Sequence, residues 1–392
     1  MTTEDIMTIT ERRKYLTKMQ SRYRQADQPQ RSQLLTEMVA VTGMHRKSLT
    51  RLMGQPSLRR TPRRRQRGVI YGPEIRQVVR IVWESLDCIC AERLTPQLLV
   101  TAQHLARFGD LTLTPSSETL LTQISEATVT RLLAGLPRVI PRLPRRAPGQ
   151  ANRVRRAVPM GRIPWQTTTP GSFEVDLVHH SGESTVGEYV HTLQLIDVAT
   201  GWSERTAVLG RGQAAMEAGF QRILDRLPFP ILHLHPDNGP EFFNDHLVRF
   251  WGEEITGLTL SRSRPYHKND NRFVEQKNAT LVRAYLGHRR LDTAAQCIAL
   301  AALYEQMGVY DNLFQPVLHL IAKEVIEGKT KRRWDEAQTP YQRLMATGIL
   351  TPTVGAGLAA LHAATNPRRV RQEIYDRVAR LWDEEITLLA AD

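Results

Sequence analysis

Residues 233–243 read HLHPDNGPEFF. An apolar-alternating run over residues 231–235 stops at Pro236, Asp237 follows at once, and Asn238 and Gly239 turn the chain away. Asx-Gly-Pro is ordinary turn chemistry and accounts for the stretch taken alone. The other reading is that Asp237 stands at the C-terminal edge of a strand because something binds there. Its neighbours along the chain decide between the two.

Around this stretch the texture is that of a sheet with helices. GSFEVDLVHH (171–180) is strand-like, and EYVHTLQLIDVATGWSERTAVL (188–209) holds two β-rich runs broken at Ala199-Thr200-Gly201, a hairpin signal. Residues 212–227 carry Ala215, Phe220, Ile223, Leu224 and Leu227 at helical spacing. A strand at 231–235, a helix at 241–253, a short strand at 257–261 and a helix at 271–286 follow, the last with Val274, Leu281 and Tyr285 along one side. The order β-β-β-α-β-α-β-α predicts a mixed α/β sheet of five strands covered by helices, its first and fourth strands adjacent.

That topology gives the acids meaning. Asp176 lies inside the first strand, where a covered sheet tolerates a carboxylate only if it is paired or metal-bound. Asp237 ends the fourth strand, and Glu275 lies in a helix returning over the same edge. Like charges this close repel unless a cation sits between them, and three oxygen ligands suit Mg²⁺ or Mn²⁺. Glu174 competes with Asp176, because both have the same strand parity; position nearer the C-terminal edge favours Asp176. Glu241, Asp245, Glu253 and Asp270 compete with Glu275 for the third place. His233 and His235 share a face with Asp237, but imidazole is a poor Mg²⁺ ligand; they read as packing or DNA-proximal.

Charge divides the chain. Residues 1–164 hold 29 Lys and Arg against 12 Asp and Glu, net +17, whereas the remaining 228 are net −4. A basic arm of this kind points to a polyanion, nucleic acid first. Two Pro-containing stretches concentrate it: QPSLRRTPRRRQRG (55–68) has six arginines, including Arg63, Arg64 and Arg65, and residues 137–164 have eight, including Arg145, Arg146, Arg155 and Arg156. Proline argues against helix in both, and arginine forks match phosphate oxygens. Residues 31–53 read as helix, Thr42-Gly43 turn, helix, with Leu34, Leu35, Met38 and Val39 apolar and His45, Arg46, Lys47, Ser48 and Arg51 outward. This is a helix-turn-helix pattern, though many bundles contain such pairs. Residues 73–136 hold long helices near 73–91 and 96–107, then a second pair of the same kind with a turn at Ile124-Ser125, read as a second DNA-binding unit or a helical spacer.

Composition sets further bounds. No apolar run approaches a membrane span, and the N-terminus lacks the apolar stretch of a secretory signal, so a cytoplasmic location is expected. Cys88, Cys90 and Cys297 are too few for a disulfide framework; Cys88 and Cys90, in an apolar helical stretch, are expected in a core.

Residues 165–290 resemble the catalytic core of the retroviral-integrase-like DDE recombinases, bacterial insertion-sequence transposases above all. The resemblance rests on FEVDLV (173–178), LQLIDVATGW (193–202), HPDNGPEF (235–242) and SRPYHKNDNRFVEQKN (263–278), with weaker continuation in NLFQPVLHLI and TPYQRL. It implies an RNase H-like fold with Asp176, Asp237 and Glu275 as the catalytic and metal-binding triad; 37 residues separate the last two, a spacing close to the family's. It implies two Mg²⁺ (or Mn²⁺) ions, double-stranded DNA as partner, a homo-multimer on that DNA, and neither membrane nor small-molecule cofactor. The implied activity is binding of an element's terminal repeats, cleavage at its 3′ end and strand transfer into target DNA. Ser261, Arg262, Tyr266, His267, Lys268 and Asn269 would contact DNA, with Asn238 and Gly239 shaping the turn. The family's histidine-cysteine zinc unit is absent here. Ala279 and Val282 stand where retroviral integrases carry lysines, and Lys277 or Arg283 is expected to serve instead.

The expected division is therefore a helix-turn-helix domain (1–54), a basic linker (55–72), a second helical DNA-binding domain (73–136), a second linker (137–164), the catalytic core (165–290) and a mostly helical C-terminal assembly region (291–392). Within the last, residues 323–340 read as a small hairpin or exposed basic strand.

Overall fold

The computed structural model describes residues 7–58, 70–137, 160–161, 163–164, 167–237, 242, 245–263, 271–326 and 329–382. The chain divides into two compact units, Met1–Ile70 and Tyr71–Asp392.

The smaller unit is built from three helices, α1 (Ile9–Gln25), α2 (Gln28–Thr42) and α3 (Arg46–Met53). Local chemistry starts and stops each one. Thr8 and Glu11 form a capping box at the start of α1, and Asp27 and Gln30 form another at α2, each satisfying amides that the first turn leaves without partners. Gly43, at φ 66°, ends α2 in the left-handed conformation that a side chain resists. Three residues later α3 begins behind His45, whose Nδ1 accepts from the Lys47 amide. Leu16, Met19, Leu35, Met38, Leu49, Met53 and Leu58 meet in one small core.

The larger unit centres on a five-stranded sheet. Its strands are β2 (Ser172–His179), β3 (Val190–Asp197), β4 (Ser203–Leu209), β5 (His233–Pro236) and β6 (Thr259–Leu260), in the order β4-β3-β2-β5-β6. The β2–β3 and β3–β4 pairs are antiparallel, while β2–β5 and β5–β6 are parallel. This is the predicted mixed sheet, and its order fits the RNase H-like arrangement that the resemblance implies. A separate two-residue pair joins β1 (Met160–Gly161) to β7 (Arg262–Ser263).

Strand parity sorts the two faces. Phe173, Val175 and Leu177 pack towards α9 (Gln213–Leu224) and α10 (Asp245–Glu254) through Met216, Phe220, Ile223 and Trp251. Val178, Val190 and Ala207 face the opposite layer, made by α11 (Arg272–Lys277), a π-helical turn over Asn278–Arg283, α12 (Ala284–Leu286) and α13 (Ala294–Phe314). The helix predicted over 271–286 thus contains a π-helical turn, a wide turn that favours functional sites.

The remaining helices share the sheet's unit rather than standing apart. They are α4 (Pro73–Ser85), α5 (Ala91–Leu94), α6 (Leu98–Arg107), α7 (Pro115–Gln123), α8 (Glu126–Leu133), α14 (Pro340–Thr347), α15 (Pro352–Ala364) and α16 (Pro367–Arg380). Residues 73–136, expected as a domain of their own, share the larger unit with the sheet and the C-terminal helices. Gln97 donates to the Ala337 carbonyl at 2.9 Å and Tyr310 to the Ser85 carbonyl at 2.8 Å, each across more than two hundred residues.

The helix predicted to run to residue 91 breaks at Leu86, where Asp87 and Cys88 adopt φ values of 57° and 56°. Asp87 is held there by long-range partners: its carboxylate receives Tyr285, Tyr375 and Arg371 at 2.8–3.1 Å. Cys88 and Cys90 consequently lie in a loop. Cys90 is exposed and Cys88 only half-buried, so the expected core placement does not hold.

Candidate active site

The parallel pairing of β2 with β5 sets Val175 against Pro236, and the Asp237 amide continues it by donating to the Val175 carbonyl at 3.2 Å. Asp176 and Asp237 are the next residues on the two strands. They therefore sit at adjacent positions, with backbones about 5 Å apart. Both side chains are half-buried.

The third element arrives through buried contacts. Glu174, only 1% exposed, accepts the amides of Phe273 and Val274 at 2.7 and 3.0 Å. These are first-turn amides of α11, so Glu174 caps the helix that carries Glu275. One turn further on, Asn278 donates from its side chain to Asp176, whose other oxygen accepts the Leu177 amide at 2.8 Å. Asn271 reaches the Val175 carbonyl. Asn271, Glu275 and Asn278 follow an i, i+4, i+7 stripe, so Glu275 lies between two residues anchored on β2. The two acids of equal parity on β2 are separated in this way: Glu174 is consumed by the helix, and Asp176 stays at the edge.

Behind Asp176 a polar row crosses the sheet. The register places Gln194 of β3 opposite Asp176, and Arg205 of β4 opposite Gln194. Gln194 is fully buried, and neither end of its amide has a partner. Arg205 is paired with Asp311 of α13. Burial pushes the Asp311 carboxyl upward against the pull of Arg205 and Lys277. Lys277 is itself mostly buried, and burial brings its amine down to about 8, with Asp311 acting to raise it.

The expected DNA contacts fall in several environments. Arg46, Lys47 and Arg51 are exposed on or beside α3, although the Arg46 guanidinium is bonded to Ser32 and Thr36 of α2. Arg262 is buried in β7, and Lys277 is partly buried, with Asp311 acting to raise its amine and Arg93 and Arg205 to lower it. Arg283, the other expected substitute cation, donates to the carbonyls of His179 and Gly287. Ser261 is bonded to both His233 and His235 at 2.6 Å, so these histidines tie β5 to the segment before β7. Arg63, Arg64, Arg65, Arg145, Arg146, Arg155, Arg156, Asn238, Gly239, Glu241, Tyr266, His267, Lys268, Asn269 and Asp270 lie outside the described residues.

Among the described residues no three His, Cys, Asp or Glu side chains close into a metal cage. The donor chemistry at the edge nevertheless fits a hard divalent cation. Two carboxylates share adjacent register positions, and the side-chain oxygen of Asn278, buried beside Asp176, has no hydrogen-bond partner.

Asn278, Asn271, Gln194, Arg205 and Asp311 join the site only through the fold. Of these only Asn278 carried a local signal, its position one turn after Glu275. Among the described residues no helix is long and apolar enough to cross a membrane.

No family model matches the chain. Among solved structures, the crystal structure of the catalytic core domain of BIV integrase is similar to it at 17% identity, covering 45% of this chain and 95% of that one with a TM-score of 0.31. Among curated proteins, the uncharacterized protein y4rM of Sinorhizobium fredii (strain NBRC 101917 / NGR234) is 38% identical over 323 residues, which span 82% of this chain and 91% of that one. An identity of that size over that length shows a shared family: the chain belongs to the family of the rhizobial protein y4rM.

Proposed function

We propose that the protein is a DDE-type DNA transposase that binds the terminal repeats of an insertion sequence, cuts the phosphodiester at the 3′ end and joins that end to target DNA. The observation carrying this reading is the adjacent placement of Asp176 and Asp237 beneath a helix that Glu174 caps and that bears Glu275.

Asp176, Asp237 and Glu275 would hold the divalent cations, Mg²⁺ or Mn²⁺. When bound, such a pair supplies activation of the attacking oxygen and stabilisation of the leaving one. The chain's own residues set the rest. Asn278 orients Asp176 through the hydrogen bond it donates. Glu174 fixes where Glu275 stands, because it anchors the first turn of that helix. Lys47 and Arg51, exposed on α3, supply phosphate contacts that position a duplex without reading its sequence. Joining two ends in one event calls for a homo-multimer on the DNA.

The test uses the full chain, an oligonucleotide duplex ending in the element's terminal repeat, and Mg²⁺ or Mn²⁺. Cut and joined products are separated on a denaturing gel. Both should form with the unaltered protein, and Asp176→Asn should lower both at least a thousandfold while duplex binding persists. Unchanged activity in Asp176→Asn would sink the proposal. Cut product without joined product would reduce the protein to a nuclease of the same fold.

A further inference from the structure

One element of the larger unit plays no part in the site described above. Strands β8 (Leu320–Ile326) and β9 (Lys329–Trp334) pair antiparallel with each other and with neither of the other sheets. They form a ribbon clamped at its base. Val317 and Gln338 exchange backbone hydrogen bonds at 2.8 and 3.3 Å, the His319 amide donates to Asp335 at 2.7 Å, and Arg343 pairs with Asp335 at 2.7 Å. The base also packs on the β3–β4 turn: a β-carbon on Gly201, at φ 75°, would stand 3.2 Å from Val317. That turn lies at the Phe173–Asp197 end of the sheet, three residues and roughly 10 Å along β2 from Asp176.

Lys331, Arg332 and Arg333 are exposed, Trp334 is 42% exposed, and Ile321 on the facing strand is 45% exposed. Alternation puts Lys331 and Arg333 on one face and Arg332 and Trp334 on the other, so both faces carry cations.

The charge is local. Residues 320–334 hold five Lys and Arg against two Glu, net +3, inside a stretch, 165–392, whose total is −4; the rest of that stretch is therefore net −7.

We infer that the β8–β9 ribbon is a DNA-binding element that lies in a groove of duplex DNA. A two-stranded ribbon fits the major groove, which is about 12 Å wide. Lys331, Arg332 and Arg333 meet the phosphates on the groove walls, and Trp334 gives apolar contact beside them. The inference rests on the proposed reading only in taking duplex DNA as the substrate. It adds a second contact surface, anchored to the same rigid sheet that carries the acids and independent of the basic arm at residues 1–164.

The experiment measures binding of the full chain to a fluorescent 40-base-pair duplex over a range of salt concentrations. The triple variant Lys331→Ala, Arg332→Ala, Arg333→Ala should bind at least tenfold more weakly near 0.15 M salt. Its salt dependence should fall by about two to three counterions. Arg332→Lys with Arg333→Lys should restore most of the affinity, and Trp334→Ala should weaken binding severalfold with the salt slope unchanged. Circular dichroism melts that match the unaltered protein establish that the variants are folded. Affinity and slope within twofold of the unaltered protein for the triple variant would overturn the inference, as would weakened binding to heparin or an acidic protein with duplex binding intact. Strand transfer is scored separately. A protein that binds duplex through the ribbon yet forms neither cut nor joined product refutes the proposed activity and leaves the ribbon standing. An active protein indifferent to the ribbon substitutions refutes the ribbon alone.

Discussion

The three-helix unit and the sheet edge at Asp176 place their charges in opposite ways. In the first, Lys47 and Arg51 stand outside a small core, on helices whose caps lie within three residues of their partners. In the second, Glu275 is exposed, but the other charges are partly or wholly buried and their partners are about a hundred residues away: Glu174 with Phe273 and Val274, Asp176 with Asn278, Arg205 with Asp311. An exposed charge is held by water and can be exchanged at little cost. A buried one is held by a particular neighbour and fails with it.

The largest contrast should come from Asp311→Ala. It leaves Arg205 in the interior without its carboxylate, and breaking a buried pair in this way costs about 3–5 kcal/mol. Denaturant unfolding of the full chain should show the larger unit's transition moving by that amount while helicity at residues 9–53 melts unchanged. If the stability of the larger unit holds within about 0.5 kcal/mol, the row behind Asp176 is not organised by this pair.

A smaller effect follows pH. Burial, then His179 and Arg211, bring the His191 imidazole down to about 4 from its ordinary value near 6.5, and its ring lies against those of His179 and Tyr189. The folded value lies below the unfolded one. The stabilisation is therefore complete above pH 6.5 and is lost as pH falls from there towards 4, because only the unfolded chain takes up the proton. The full window is worth about 3 kcal/mol. Unfolding midpoints at pH 7 and pH 4.5 should differ less in His191→Phe than in the unaltered protein. An identical acid loss in both would remove His191 from the account.

What could be read from the sequence follows the same division. The strands of the sheet declare themselves in alternation and turn residues, which are local; residues 323–340 read as a small hairpin or an exposed basic strand, and β8 and β9 pair antiparallel. The start of α1 is likewise local, set by the Thr8–Glu11 capping box. The adjacency of Asp176 and Asp237 follows instead from the order of the elements. The choice between Glu174 and Asp176 could not be made by parity. It depends on the amides of Phe273 and Val274, which only the folded chain brings near. The run SLDCIC, residues 85–90, looks helical because its apolar spacing is right; it breaks because Asp87 is claimed by Tyr285, Arg371 and Tyr375. That α13 covers the sheet, and that residues 73–136 share its unit, are likewise matters of distant contact.

Glu174→Gln tests the sheet edge at lower cost. Both helix amides donate to one oxygen of Glu174, which the glutamine carbonyl can replace, while the charge is lost, so stability should fall by about 1–2 kcal/mol. Because Glu275 rides on that helix, strand transfer should fall further than stability alone implies, ten- to a hundredfold, with duplex affinity intact. Equal activity with lowered stability would confine Glu174 to folding.

The smallest change in stability belongs to the other region. Lys47→Ala with Arg51→Ala removes two exposed charges, and each should alter unfolding by no more than about 0.5 kcal/mol. Their effect should appear only on DNA. If both meet phosphates, the salt dependence of duplex binding falls by about two counterions, and the loss is nearly the same on any sequence. A loss confined to the terminal-repeat duplex, with binding to unrelated duplex unchanged, would instead place these side chains on base edges in the groove. Arg46 separates the two cases further. Its guanidinium is bonded to Ser32 and Thr36 of α2, so Arg46→Ala should loosen the α2–α3 pairing and weaken both duplexes together. A substitution at Arg46 that changed only sequence preference would mean that it leaves those partners when DNA arrives, and the local, self-contained character of this unit would then hold only in the free protein.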